Sequence, residues 1–164
     1  MTSPSPAIVW FREDLRLADN PALTSAMESG RPILCVYILD EISEGVRPLG
    51  GASRWWLHHS LAALDSDLRG IGGRLDLFRG RAQPVLETLA EENEAASLAW
   101  TRRYDKAGVA IDTAIKAALG ARLSVESFNG KLIVEPWTMK TRAGGPFRVF
   151  TPFWRALSTQ THIA

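Results

Sequence analysis

The chain has one cysteine, Cys35, among its 164 residues, which excludes an internal disulfide and a cysteine-built metal site. A lone thiol also suits a reducing compartment. Charge of one sign is not in excess: nineteen Lys and Arg stand against eighteen Asp and Glu, a formal net charge of +1. That balance demands neither nucleic acid nor an anionic membrane as partner, although it leaves room for a local basic face. No stretch approaches the roughly 20 apolar residues that cross a bilayer. Met1 to Pro6 lacks a basic region followed by an apolar run. No membrane partner is expected, and the expected location is cytoplasmic.

The motifs of several chemistries are missing too. No Gly-x-Gly-x-x-Gly follows a strand-like run, because Gly70 and Gly72-Gly73 precede one and lack the third position. There is no Walker loop, no Ser-x-x-Lys and no Gly-x-Ser-x-Gly. His58, His59 and His162 lack metal-ligand spacing with acidic partners, so no metal site is expected. His58-His59 reads as helix surface plus core edge. Six tryptophans raise stacking on single-stranded nucleic acid. Trp10, Trp55, Trp56 and Trp100 nevertheless fall on predicted strands and helices, where most should be core.

What is present is a regular alternation. Hydrophobic residues make up 46% of the chain, an ordinary globular value, and the length suits one domain with a sizeable core. Ala7 to Phe11 is a short apolar run of strand length. Asn20-Pro21 supplies a side-chain cap and a proline for a helix to about Glu28, stopped near Gly30. Ile33 to Leu39 is a continuous apolar run ending on Asp40, the look of a strand covered on both faces. Ser53 is placed to cap a long helix to about Arg69, with Trp56, His59, Ala63 and the series Leu57, Leu61, Leu64, Leu68 at helical spacing. Leu75 to Phe78 is a third strand. Pro84 opens a helix to about Glu92, with Val85, Leu86 and Leu89 facing inward.

Ser97 to Thr101 is a fourth strand, ending at Arg102-Arg103-Tyr104-Asp105-Lys106. Ala107 to Leu119 reads as a helix whose Val109, Ala110, Ala114, Ala117 and Ala118 allow close sheet packing. Arg122 to Phe128 is a fifth strand. From Asn129 onward, glycine and proline predict loop. The pattern predicts an α/β fold: a Rossmann-like, open five-stranded parallel sheet flanked by helices, three layers deep. The first strand should be central and the fifth at an edge. The expected divisions are a flexible terminus over 1–6, the α/β domain over 7–128, and a loop and linker start over 129–164.

Trp10-Phe11-Arg12-Glu13-Asp14-Leu15-Arg16-Leu17, followed by Asp19-Asn20-Pro21-Ala22-Leu23, resembles the amino-terminal signature of the DNA photolyase/cryptochrome family. Glu135-Pro136-Trp137 and Gly145-Pro146-Phe147-Arg148-Val149-Phe150-Thr151-Pro152-Phe153-Trp154 resemble the same family. The resemblance covers essentially all of this chain but only about the first third of a family member. It implies a fragment or domain whose parent carries a larger helical domain holding FAD and damaged DNA. For the parent it implies light-driven repair of pyrimidine dimers by electron transfer from reduced FAD. These residues alone are then expected to be inactive and to hold no cofactor tightly. Phe150, Phe153 and Trp154 should contact the absent domain, with Trp137 also turned that way. Their uncovered surface should fold back or drive self-association.

In open α/β sheets, ligands sit outside the carboxyl ends of the strands, near the point where strand order reverses. Arg12, Glu13, Asp14, Asp40 and Arg102 to Lys106 are delivered to that edge. The plain alternative is that these are solvated loop charges, or that Arg12 and Asp14 tie the loop to neighbouring backbone. The resemblance implies an antenna chromophore there: a reduced folate, a deazaflavin or a flavin. Its candidate contacts are Cys35, Val36, Tyr37, Gly50, Gly51, Arg54, Tyr104, Asp105, Lys106 and Glu135, with Cys35 equally readable as a small core residue. Where folate-type members place an acidic side chain on the pterin, this chain has Ala107-Gly108, which counts against one folate mode and leaves Glu135 as the alternative carboxylate. Three rival readings stay open: a cryptochrome photoreceptor, a stand-alone nucleotide-binding α/β protein, and a domain that has lost its antenna. The nucleotide-binding reading would need a glycine-rich phosphate loop near the fourth strand, and none is present.

Overall fold

The order of the strands, β3-β2-β1-β4-β5, puts the first strand at the centre of a five-stranded parallel sheet. The strands are β1 (Ala7–Phe11), β2 (Ile33–Leu39), β3 (Leu75–Arg79), β4 (Ser97–Thr101) and β5 (Ser124–Phe128). They alternate with α1 (Pro21–Glu28), α2 (Gly51–Gly70), α3 (Ala82–Glu92) and α4 (Lys106–Leu119), and α5 (Phe150–Gln160) follows. This computed structural model describes residues 4–160. The expected flexible 1–6 therefore lies partly outside the described residues, as does His162. Within the described part, the Pro6 carbonyl accepts from the Ala96 amide at 2.9 Å and the Ser5 carbonyl from Arg31 at 3.1 Å.

Every residue of β1 is buried, as both of its faces must be covered in a central parallel strand. Ala7, Val9 and Phe11 pack with Cys35 under α1 and α2, through Ala22, Leu23, Ala26, Leu64 and Leu68. Ile8 and Trp10 pack on the opposite face with Val36, Leu98 and Trp100 under α3 and α4, through Leu86, Ile115 and Leu119. The pairing registers are parallel throughout, with Val9 beside Cys35 on one side and beside Ala99 on the other. Crossovers run outward from β1 through β2 to β3 and, on the other side, from β4 to β5. The topological switch therefore falls between the carboxyl ends of β1 and β4.

Several elements differ from the sequence reading. The helix α2 begins at Gly51 with Gly50 as its cap, so Ser53 lies inside the helix and caps nothing. Its buried residues are Leu64 and Leu68, while Trp55, Trp56, His58 and His59 are exposed. Trp55 stacks edge-on against His59, with ring centroids 4.4 Å apart. The leucine series is thus half right, because the helix meets the sheet only through its second half. Of the tryptophans, Trp10 and Trp100 are core, and Trp55, Trp56, Trp137 and Trp154 are not. On α4 the inner face is Ala107, Gly108, Asp112, Ile115 and Leu119, whereas Val109, Ala110 and Ala117 face solvent. Apolar side chains alone misled there, because the inward position four residues before Lys116 is an aspartate with a buried partner.

The described chain divides into two compact units, one ending at Gly130 and the other beginning at Lys131. In the second, α5 stands where loop was expected: Pro152 falls in the first turn of a helix, the place where a missing N–H costs nothing. Phe150 and Trp154, one turn apart, stack at 6.0 Å with their planes 17° apart. Phe147 meets Phe153 edge-on at 6.0 Å.

Candidate functional site

Of the charged residues in the loop after β1, Arg12, Asp14 and Arg16 stand two apart, and each is fixed differently. Arg12 continues the strand on the α4 side. Its Nη1 donates to Asp112 Oδ1 at 2.6 Å, and both side chains are almost fully buried. Its guanidinium lies 4.2 Å from the centre of the Trp10 ring. Burial pushes this guanidinium below its ordinary range, and the Asp112 carboxylate opposes the shift by charge and by hydrogen bond. A cation buried this deeply is tolerable only because it is paired. Its Nε and Nη2 have no hydrogen-bond partner among the described residues.

Asp14 is buried at the switch point itself. Its carboxylate accepts from the Arg12 amide at 3.1 Å, from Asn20 Nδ2 at 3.3 Å, and from the hydroxyl of Thr101 at the end of β4. Asn20 in turn caps α1 by accepting from the Leu23 amide at 3.1 Å. Arg16 is exposed and donates to the carbonyls of Ala18, Asp19 and Gly130 at 3.1, 2.9 and 3.3 Å. These bonds hold the turn in which Asp19 has a positive φ of 51°. A Cβ added to Gly130 would come 2.6 Å from Thr101 Cγ2, so glycine lets this backbone approach β4. The crevice where a ligand was expected is therefore closed by the chain's own hydrogen bonds.

Two clefts flank the closure. One, of about 170 Å³, lies over the ends of β1 and β2 and is lined by Trp10, Arg12, Tyr37, Val46, Arg47 and Arg103 among others. The other, of about 460 Å³, runs between the 12–16 loop and the exposed half of α2, and includes Tyr37, Trp56, Leu57 and Ser60. Arg12, Glu13, Tyr37 and Leu49 border both. Burial raises the Tyr37 hydroxyl, with Arg103 opposing and Glu41 adding to the shift.

The predicted site residues divide accordingly. Tyr37, Arg12, Glu13, Asp14 and Asp40 border these clefts. Cys35 and Val36 are core on opposite faces of the sheet, and burial pushes the Cys35 thiol up to about 11. Gly50 and Gly51 begin α2 beside open space. Arg54 donates to Glu41 at 2.7 Å, and Arg79 reaches the same carboxylate at 3.3 Å. Asp40 accepts from the amides of Ala82, Ser43 and Ile42 and from the Ser43 hydroxyl, so it joins the loop after β2 to the start of α3. Asp105 caps α4 through the Gly108 amide at 2.9 Å and pairs with Arg103, which also pairs with Glu13 at 3.2 Å. A Cβ at Gly108 would collide with that Arg103 side chain, so the packing requires glycine there. Lys106 is the exposed first residue of α4, and Tyr104 precedes its cap. Glu135 lies in the second unit, where its carbonyl accepts from the Thr138 amide and hydroxyl.

Sequence reasoning missed Asp112 and Glu41. The first sits at an inward position of an otherwise small-residue helix face, a signal that was available. The second follows Asp40 in a polar loop and carries no pattern. Among the described residues no group of His, Cys, Asp or Glu is gathered as for a metal ion, and no helix is long and apolar enough to cross a membrane.

Comparison with known proteins agrees with the signature around Arg12. Over 154 residues the chain is 54% identical to the deoxyribodipyrimidine photo-lyase of Agrobacterium fabrum, covering 93% of this chain and 32% of that protein. Cryptochrome-1 of Arabidopsis thaliana is 39% identical over 155 residues, covering 93% of this chain and 23% of the relative. The fold superposes on a bacterial class III photolyase from Agrobacterium tumefaciens with a TM-score of 0.88 and 50% identity, covering 98% of this chain and 33% of that one. The chain thus spans about a third of the length of the photolyases it matches. The family model described as DNA photolyase matches residues 7–163, nearly the whole sequence, so the chain belongs to the DNA photolyase family.

Proposed function

We propose that this chain is the amino-terminal, antenna-binding α/β domain of a DNA photolyase, and that the longer protein splits pyrimidine dimers on illumination using reduced FAD. The observation that carries the reading is the 54% identity to a photolyase, against 39% to a plant cryptochrome over the same span. Damaged DNA would be engaged through a helical domain outside these residues, where a lesion extruded from the stack meets the flavin. We place the protein in the cytoplasm.

Within these residues, the pair of clefts at the carboxyl edge suits an antenna. Arg12 has unused donors, Tyr37 and Trp56 supply aromatic walls, and Leu49 is apolar and shared by both clefts. A bound chromophore would absorb light and pass the excitation on. The chain's own part is to hold a planar ring and orient its polar edge. The exposed Phe150 and Trp154, with half-buried Phe153, are the surface for the helical domain, and without it they favour self-association.

The test compares two proteins: this chain, and the chain extended by the further residues that its relatives carry. Repair of a thymine-dimer oligonucleotide under near-ultraviolet light should need the extension, and the chain alone should retain no stoichiometric FAD. Illuminated repair by the short chain would refute the assignment of chemistry to the absent domain. An extended protein that binds FAD yet repairs no lesion would favour the cryptochrome reading.

A further inference from the structure

Arg12 is the cation that this fold buries among its described residues. It sits at the shared border of both clefts, 8% exposed, yet among the described residues a single guanidinium nitrogen has a hydrogen-bond partner. The Trp10 ring supports one face of it at 4.2 Å. Asp112 reaches it from α4, a hundred residues along the chain. A structural ion pair between an arginine and a carboxylate is frequently two-pronged. Here it is one-pronged, and Nε and Nη2 are left over on a side chain that borders space.

We infer that Asp112 is a positioning residue: it pins Arg12 over Trp10 by one nitrogen, so that the remaining guanidinium donors meet the acceptor edge of a planar, carbonyl-bearing ring in the cleft. The inference rests on the antenna reading and makes it more specific. It names the ring edge as the recognised part and Arg12 as its donor. It also explains why the apolar face of α4 admits a buried carboxylate. A guanidinium recognises paired acceptors through fixed, coplanar donors, so its value depends on being held at one angle.

The probe is flavin mononucleotide, whose ring carries two carbonyls flanking an N–H, titrated to millimolar concentration into the ¹⁵N-labelled chain. Nitrogen-detected NMR reads the Arg12 guanidinium and the Trp10 indole N–H directly, and thermal melts read stability. In the free wild type the Arg12 side-chain signals should show hindered rotation. In Asp112→Asn, which keeps size and loses charge, rotation should become free while the backbone spectrum is kept. Flavin affinity should fall at least tenfold, whereas Asp67→Asn on the exposed face of α2 should leave it unchanged. Asp112→Glu should recover part of both signals and serves as the second variant if Asp112→Asn folds poorly. Hindered rotation that survives in Asp112→Asn would overturn the positioning role, and so would unchanged affinity in that variant. If the wild type shifts neither signal with the flavin, the flavin form of the antenna reading and the ring-edge contact both fail, and the rotation data still decide whether Asp112 pins Arg12.

Discussion

Asp14 closes the switch point, and its removal has a size that can be worked out. In Asp14→Ala three donors lose their acceptor: the Arg12 amide, the Asn20 side-chain amide and the Thr101 hydroxyl. Asn20 Nδ2 keeps the carbonyls of Arg16 and Asp14 at 3.2 and 3.4 Å, so its loss is small. The Arg12 amide and the Thr101 hydroxyl are left without partners in a place where Thr101 is 2% exposed. At about 1–3 kcal/mol for each of these two orphaned buried groups, the expected loss is about 2–6 kcal/mol. That is a large share of the roughly 5–15 kcal/mol that holds a domain together. Urea unfolding followed by tryptophan fluorescence measures it, with exposed Asp67→Ala as a control within about 0.5 kcal/mol of wild type. Thr101→Val removes the same contact from the other side, so the double variant should lose about 1–2 kcal/mol less than the sum of the two. A loss under about 0.5 kcal/mol for Asp14→Ala, or strict additivity, would refute the closure argument.

Three further outcomes are expected. Burial alone would raise the Asp40 carboxyl, but the Ser43 hydroxyl and the amides of Ala82, Ser43 and Ile42 outweigh it and hold the group below its ordinary 3.8. Since the folded value is the depressed one, this stability is present above the unfolded value of about 3.9 and is lost as pH falls through the folded value. Urea midpoints should hold steady from neutral pH to about 5 and then drop, and Asp40→Asn should flatten the drop. Cys35, raised to about 11 by burial, should react with a disulfide reagent at pH 8 roughly a hundredfold more slowly than a free thiol of pKa about 8.5, and at the free rate in denaturant. Gly130→Ala should cost about 1–3 kcal/mol through its collision with Thr101, whereas Gly51→Ala, a helical site beside open space, should stabilise by up to about 1 kcal/mol. Equal effects of the two substitutions in melts would contradict the packing.

The fold was legible because parallel strands buried on both faces announce themselves. Ile33 to Leu39 and Ser97 to Thr101 coincide with β2 and β4, and Asn20 caps α1 as its sequence context demands. Helix faces were less legible. On α2, the leucine spacing continues past the point where the sheet ends beneath the helix, and periodicity cannot say where a neighbour stops. On α4 Val109, Ala110 and Ala117 face solvent, and the inner face runs instead through Asp112, whose partner Arg12 is invisible at such sequence distance. The aromatic segment around Phe150 reads as loop from its prolines, although Pro152 suits a first helical turn.

The site was legible in residue type and illegible in direction. Arg12, Asp14 and Arg16 look equivalent in sequence, three charges at alternate positions after a strand. The structure gives them three separate jobs. Arg12 still follows the strand's alternation and so falls on the same side as Ile8 and Trp10, where α4 supplies its counter-charge. By Asp14 the chain has left the strand, and its carboxylate turns back to bond Thr101 across the sheet. Arg16 holds the turn and the Gly130 backbone, through carbonyls. The hydrogen bonds of Asp14 and Arg16 go to backbone and neighbours that shape the loop, so the fold itself accounts for both charges. Arg12 keeps donors in reserve beside a space with aromatic walls. The chemistry assigned to this edge therefore rests on one of the three residues, and the other two build the loop that holds it there.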